Sequence, residues 1–313
     1  MEEFEMAIKQ NQGVNVNRKF GIEIEFGTKS TRAQVIERLR QGGVSVEAQG
    51  WTDHSNRQYN EYVWKLTTDG SLHFLGENGM ELVSPPMTVA GGGLEEIRKV
   101  CAILNSPEID AKVNLTCGFH VHHDVADYNH KNMKSLVNIM TRYTNAFDEL
   151  VAPSRRVDGI KSKWCKPMFP TVMSEELRTE RIEEFQKCKS IEEQVNYFGT
   201  RYMRLNLQSY MCYGTVEFRQ HQGTTNADKI CNWVILTQMA VERGANSAVS
   251  SKVGADDWFN LKKILRGYAW MGADELQVQA VDYYNKRRQE LLKASKTLAT
   301  LTTEELQALT MVG

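Results

Sequence analysis

Two glutamates stand two residues apart in the segment FGIEIEF, residues 20–26, and two histidines stand two apart in CGFHVHHDV, residues 117–125. On a strand, residues i and i+2 point to the same face. Glu23 and Glu25 therefore share a face, while Phe20, Ile22, Ile24 and Phe26 cover the other. His120 and His122 share a face, and His123 points away from them. The same spacing groups Glu217, Arg219 and His221 in GTVEFRQH, and Arg204, Asn206 and Gln208 in RYMRLNLQ. Leu205 and Leu207 alternate with the Arg204 series, and Val216 and Phe218 with the Glu217 series. One such pair fits the wet side of any half-buried sheet. Four strands that each gather carboxylate, imidazole, guanidinium or amide groups point to a shared polar face on a packed sheet.

Glu81, in GMELVSPPM, adds a further carboxylate just before a Pro-Pro stop. Carboxylates crowded on one face repel one another unless a cation sits between them. An oxygen-rich set with one or two imidazoles suits Mg²⁺ or Mn²⁺ better than Zn²⁺. Arg204 and Arg219 offer donors for phosphate or carboxylate oxygens. Carboxylates, a divalent metal and arginines together are the apparatus of phosphoryl transfer from a nucleotide. The chain holds neither a GxxxxGK[ST] loop nor a GxGxxG turn opening a helix. Gly91-Gly92-Gly93 reads either as a phosphate-binding helix start or as a flexible connector. The basic segment with Arg155, Arg156, Lys161, Lys163 and Lys166 reads either as a lid over phosphates or as a solvated loop. His54, His73 and His130 have no partner spacing and read as surface residues.

The elements that position these groups follow from periodicity and stop signals. Strands are expected at 19–26, 44–51, 61–66, 72–75, 79–84 and 112–125, with a β-hairpin at 202–210 and 214–221. Helices are expected at 30–41, 94–104, 130–151, 175–187, 191–198, 228–243, 258–268, 274–294 and 303–309. The expected organisation is a loose arm over 1–18, an α+β catalytic domain over 19–245, and a helical C-terminal extension over 246–313 packed on the same domain.

Composition limits the partners. Lys and Arg number 38 against 39 Asp and Glu, for a net charge of -1, which excludes a broadly basic polynucleotide binder. Hydrophobic residues at 41% and charged residues at 25% exclude wholesale disorder. The most apolar stretch, residues 233–241, is interrupted by Thr237 and Gln238 and falls short of the roughly 18–20 residues of a membrane helix. The first residues, MEEFEMAIKQ, lack a signal pattern, and the six cysteines form no Cys-x-x-Cys pair. A cytoplasmic protein with reduced thiols, and without nucleic-acid or membrane partners, is expected.

FGIEIEF, DGSL, MELVSPP, TCGFHVHHD, RLN and GTVEFRQHQGT occur in that order. The ordered set resembles the amidoligase branch of the glutamine synthetase and gamma-glutamylcysteine synthetase superfamily, the carboxylate–amine ligases, over residues 19–243. The resemblance implies a curved, mainly antiparallel sheet of glutamine-synthetase type, flanked by helices, with Mg²⁺ ions on its concave face. It implies metal ligation by Glu23, Glu25, Glu81, His120 and Glu217. It implies a place near nucleotide or phosphate for His122, contact with phosphate or substrate for Arg204 and Asn206, and steadying of the transferred phosphoryl group by Arg219. The implied activity is ATP-dependent joining of a carboxylate to an amine through an acyl phosphate, with small-molecule or peptide substrates. Two other readings stand beside it: a metal-dependent hydrolase, because His-x-His strands also serve hydrolytic metal sites, and a catalytically inactive member that binds or assembles.

Overall fold

The computed structural model describes residues 13–49, 62–157, 159, 162–170, 173–251 and 255–299. Among these are seven strands and ten α-helices. They are β1 (Phe20–Thr28), α1 (Arg32–Gln41), β2 (Val46–Ala48), β3 (Trp64–Thr68), β4 (Asn78–Val83), α2 (Gly93–Leu104), β5 (Gly118–Asp124), α3 (His130–Arg142) and α4 (Thr144–Asp148). Then come α5 (Glu175–Lys187), α6 (Ile191–Phe198), β6 (Leu205–Asn206), α7 (Gln208–Tyr213), β7 (Thr215–Gln222), α8 (Ala227–Asn246), α9 (Trp258–Ile264) and α10 (Glu275–Ala299). The strands form an open sheet of order β2-β3-β4-β1-β5-β7-β6. The pairs β1–β4, β3–β4 and β6–β7 run antiparallel, and β2–β3 runs parallel. The α+β class, the mainly antiparallel sheet and the helical C-terminal region agree with expectation. No helix among the described residues is long and apolar enough to cross a membrane.

The chain divides into two compact units. The first holds Val16–His122 and His221–Cys231. Phe20, Ile22, Ile24 and Phe26 of β1 are buried to 1% exposure or less, as their alternation requires. Leu66, Met80 and Leu82 continue this apolar side across β3 and β4, and Val35 and Leu39 of α1 and Ile97 and Val100 of α2 supply its helical cover. A capping box at Thr31 and Gln34 starts α1. The second unit holds His123–Gln220 and the described residues of Asn232–Thr300. Its core is aromatic, with Trp233 meeting Phe147 and Tyr284 edge-on and Tyr284 meeting Trp258. The side-chain oxygens of Ser174 and Ser190 accept the first free amides of α5 and α6.

Four sequence expectations are corrected. Residues 72–75 are not a strand, because the chain there crosses over two glycines of β1 and β4, as described below. The strand expected over 112–125 is confined to Gly118–Asp124, since Asn114 turns the chain by accepting from the amide and the hydroxyl of Thr116. The helix expected over 130–151 breaks at Tyr143, flanked by Thr141 and Thr144, whose hydroxyls donate back to the carbonyls of Val137 and Met140. The first arm of the expected hairpin shrinks to Leu205–Asn206, and Gln208–Tyr213 is helical. Asn206 Oδ1 accepts from the Gln208 amide at 2.9 Å to start that turn, and Gly214, at φ 69°, ends it. The helix expected at 303–309 lies outside the described residues.

Candidate active site

In the first unit, strand pairing sets the polar face. Glu25 lies directly opposite Glu81 across β1–β4, and Glu81 lies opposite Thr67 across β3–β4. Two like charges directly opposite in a sheet repel. Glu25 is 6% exposed, and its Oε2 accepts the Gly118 amide at 2.5 Å. From β5, His120 Nδ1 lies 2.8 Å from Glu23 Oε2, and His122 Nε2 lies 3.1 Å from Glu23 Oε1. Burial pushes the Glu23 carboxyl up, but the hydrogen bonds and charges of His120 and His122 outweigh it and hold Glu23 well below the ordinary range. One ligand atom each from Glu25, Glu81 and His120 come within 4.8 Å of one another. Two opposed carboxylates and one imidazole on a buried sheet face are a donor set that fits Mg²⁺ or Mn²⁺.

Two glycines bound this face. Gly27 lies opposite Gly79, one same-face position beyond the Glu25–Glu81 pair. A Cβ on Gly27 would fall 2.5 Å from the Phe74 ring, and one on Gly79 would fall 2.8 Å from Leu72 Cβ. The β3–β4 connection thus lies on the sheet where side chains are missing, beside the carboxylates. His73 anchors it, its amide donating to Thr116 Oγ1 and its carbonyl accepting from Asn114 Nδ2. The sequence reading gave His73 no role beyond the surface, and its side chain is exposed.

The second unit carries the remaining expected residues. Glu217 is 3% exposed and lies opposite Asn206 across β6–β7. Its Oε2 accepts from Asn206 Nδ2 at 2.6 Å, and its Oε1 is paired with Arg219 Nη1. Asn206 Nδ2 also donates to Ser209 Oγ at 3.1 Å. Arg204 is held elsewhere: fully buried, it pairs with Asp148 Oδ1 at 2.7 Å and donates to the Thr144 carbonyl at 3.2 Å. Gln220 donates to the same Asp148 oxygen at 2.7 Å. The structure thus joins Glu217, Asn206 and Arg219, while the Arg204 guanidinium is committed to α4. Gln208, expected beside them, belongs to α7.

His123 is buried, 2.8 Å from Thr237 Oγ1 and edge-on to Phe218, as its exclusion from the polar face requires. In the first unit, His221 packs edge-on against Phe119. In the basic segment, Arg155 is buried at 4% exposure, Arg156 donates to the Val151 carbonyl, and Lys163 lies over the Trp164 ring. Lys161 and His54 lie outside the described residues. Gly92, at φ 81°, is the N-cap of α2, so the triple glycine makes the turn into that helix.

Sequence reasoning missed Lys65, Ser209 and Asp148. Lys65 alternates with the buried Trp64 and Leu66, which is a signal, but its nearness to the acidic face depends on strand register. Asp148 closes a helix whose break at Tyr143 was not foreseen.

The sequence pattern of the amidoligase enzyme family matches residues 16–241, most of the chain. No curated protein matches it.

Proposed function

From the premise that this chain belongs to the amidoligase enzyme family, we propose that it is an ATP-dependent ligase joining a carboxylate to an amine. The observation that carries this reading is the convergence of Glu25, Glu81 and His120 on one buried sheet face. In the proposed reaction an oxygen of the substrate carboxylate attacks the γ-phosphorus of ATP. The bond from that phosphorus to the β–γ bridging oxygen breaks, and ADP leaves with its electron pair. The resulting acyl phosphate is attacked at carbon by the amine nitrogen. Inorganic phosphate departs, the nitrogen loses a proton, and the amide remains.

Glu25, Glu81 and His120, with Glu23 beside them, are the residues that would hold Mg²⁺ or Mn²⁺, and Glu217 is proposed as a further carboxylate ligand. A cation bound there would neutralise charge on phosphate oxygens. The hydrogen bonds of His120 and His122 keep Glu23 ionised and ready to ligate. His122, 17% exposed, is proposed to face nucleotide phosphate. Arg219, whose guanidinium can meet two phosphoryl oxygens at once, is proposed to steady the transferring group. Glu217 fixes Arg219, and Asn206 fixes Glu217, so these groups are oriented before substrate arrives. Arg204, with its guanidinium on Asp148, is proposed to hold the strand rather than the phosphate.

The test is ADP release with Mg²⁺ across a panel of acids, with hydroxylamine as the amine, since an acyl phosphate is captured as a hydroxamate. ADP and hydroxamate formed in equal amounts, and only when acid, amine and ATP are all present, is the expected result. Loss of an amide substrate without ATP would select the hydrolase. Nucleotide bound and never turned over would select the inactive binder.

A further inference from the structure

Two arginines of the second unit meet where the last turns of α8 face the turn after α9. Bare backbone at Gly267 sets this approach. A Cβ there would fall 2.5 Å from Val281 Cγ2 of α10 and 3.3 Å from Met239 Cε of α8. Arg243 follows Met239 by one turn, on the same face of α8. Arg266 directly precedes Gly267, so its turn is held against the α8 face that carries Arg243.

Both arginines are placed at a cost. Arg266 sits at φ 54°, in the left-handed region where a Cβ crowds the following carbonyl oxygen. Its amide donates to the Lys263 carbonyl at 3.1 Å, and that of Gly267 to the Lys262 carbonyl at 2.9 Å. Those two bonds close α9 in the pattern that usually places glycine where Arg266 stands. Arg243 is half-buried. Its Nη1 donates to Ser247 Oγ, and its Nε is buried without a hydrogen-bond partner among the described residues. Burial pulls the Arg243 guanidinium below its ordinary value and the Arg266 charge pulls it further, while Tyr143 pulls it back only in part. The acids near Tyr143 are engaged elsewhere. Asp256 accepts the amides of Asn145 and Ala146, each at 3.0 Å, and Asp257 accepts that of Asn260 at 2.8 Å.

Two like charges, one with a buried donor to spare, make a place for an anion. An oxyanion would accept from the Arg243 Nε and offset the repulsion in one step. A carboxylate carries a single charge, whereas a phosphate group at neutral pH carries about −1.5 to −2 and offsets both guanidiniums. The planar guanidinium also matches phosphoryl oxygens two at a time. We propose that Arg243 and Arg266 form a binding site for a phosphate group. Neither residue falls within the stretch 16–241 that the family pattern matches, and the proposal does not rest on the ligase reading. Both side chains are partly exposed, so a ligand reaches them without opening the core.

The experiment titrates inorganic phosphate calorimetrically into the full-length protein in EDTA, where the uncompensated carboxylates of the first unit repel anions. The wild type should bind phosphate at one site. Arg243→Gln and Arg266→Asn should each weaken that binding at least about tenfold, the scale of one charge-assisted hydrogen bond. Asparagine tolerates the left-handed backbone, so Arg266→Asn keeps the test decisive if Arg243→Gln does not fold. Without phosphate, Arg266→Asn should hold or raise the melting temperature, because a like charge leaves the side of Arg243. Glycerol 1-phosphate separates the sources of the group. Binding as tight as that of inorganic phosphate assigns the site to a phosphate ester, and weaker or absent binding assigns it to free phosphate. No phosphate binding by the wild type, or unchanged affinity in the variants, overturns the proposal. Acetate bound as tightly as phosphate also overturns it and gives the arginines to a carboxylate. A melting temperature lowered by Arg266→Asn in phosphate-free buffer does the same, by assigning Arg266 to a contact within the chain.

Discussion

In the first unit Glu23 is hydrogen-bonded by the imidazoles of His120 and His122, whereas in the second unit Asp148 is paired with the guanidinium of Arg204 and Glu217 with that of Arg219. An imidazole can release a carboxylate and ligate a metal with the same nitrogen. A guanidinium cannot, because it is always charged and has no lone pair to offer. Glu25 and Glu81 go further and face each other. The imidazole partners of Glu23 are thus exchangeable, and a cation could enter beside it by displacing them. Those in the second are permanent. They supply positive charge themselves and fix carboxylates in place. Where the protein builds in its own counterion, removal should cost stability. Where it leaves exchangeable partners, removal should cost ligand response.

The largest effect is expected at Arg204. Its substitution by Met leaves Asp148, 8% exposed, without its counter-charge. Breaking a buried ion pair from one side costs about 3–5 kcal/mol, to be read as a lowered urea midpoint. Burial already raises the Asp148 carboxyl above its ordinary value, and Arg204 lowers it again in part. Without Arg204 it rises further. A carboxyl raised in the folded state stabilises that state below its unfolded pKa, and the gain is lost as pH rises through the folded value. Arg204→Met should therefore lose more stability at pH 8 than at pH 4, and adding Asp148→Asn should remove that extra slope. Equal losses at both pH values would show that packing, not charge, ties Arg204 to α4.

Arg219 tests whether a permanent partner can also be catalytic. Arg219→Lys keeps the charge beside Glu217 but would lose the second of the two phosphoryl contacts proposed for the guanidinium. The rate of ADP formation should fall by about a hundredfold, the scale of losing one preorganised donor, with little change in the KM for ATP. A lowered melting temperature with normal turnover would make Arg219 structural, the role proposed above for Arg204.

Much of this was legible in the sequence where periods are local. The bounds of α5 and α6 follow from Ser174 and Ser190 before them and Gly199 after, all read within one turn. The Glu-x-Glu and His-x-His spacings placed Glu23, Glu25, His120 and His122 on one face, because strand alternation needs no partner. Register was not legible: nothing local says that Glu25 meets Glu81, or that Lys65 stands diagonal to it. Alternation misled at Arg204, Asn206 and Gln208, since only two residues there are strand and the asparagine itself turns the chain into α7. Residues 72–75 misled for a related reason. Their apolar pattern serves contact with Gly27 and Gly79, a non-local pairing of bare backbone with side chains.

The smallest change in stability, and the most direct test of exchangeable partners, is expected at Glu25. Without a divalent cation, Glu25→Gln removes one of two opposed carboxylates, and relief of that repulsion is worth about 0.2–1 kcal/mol. The Gly118 amide loses a charged acceptor but can still donate to the amide oxygen, which offsets part of the gain. The melting temperature in EDTA should therefore rise slightly or hold. With Mg²⁺ the order should invert. A ligand bound only by the folded state stabilises it by about 2.7 kcal/mol at a hundred times its dissociation constant. The wild type should gain on that scale, and the variant, with one carboxylate fewer, should gain much less. Glu47→Gln, on the same face but two strands away from β4, should respond to Mg²⁺ like the wild type. If Glu25→Gln lowers the melting temperature in EDTA and responds fully to Mg²⁺, the opposed pair is a structural contact and the first unit's partners are as permanent as the second's.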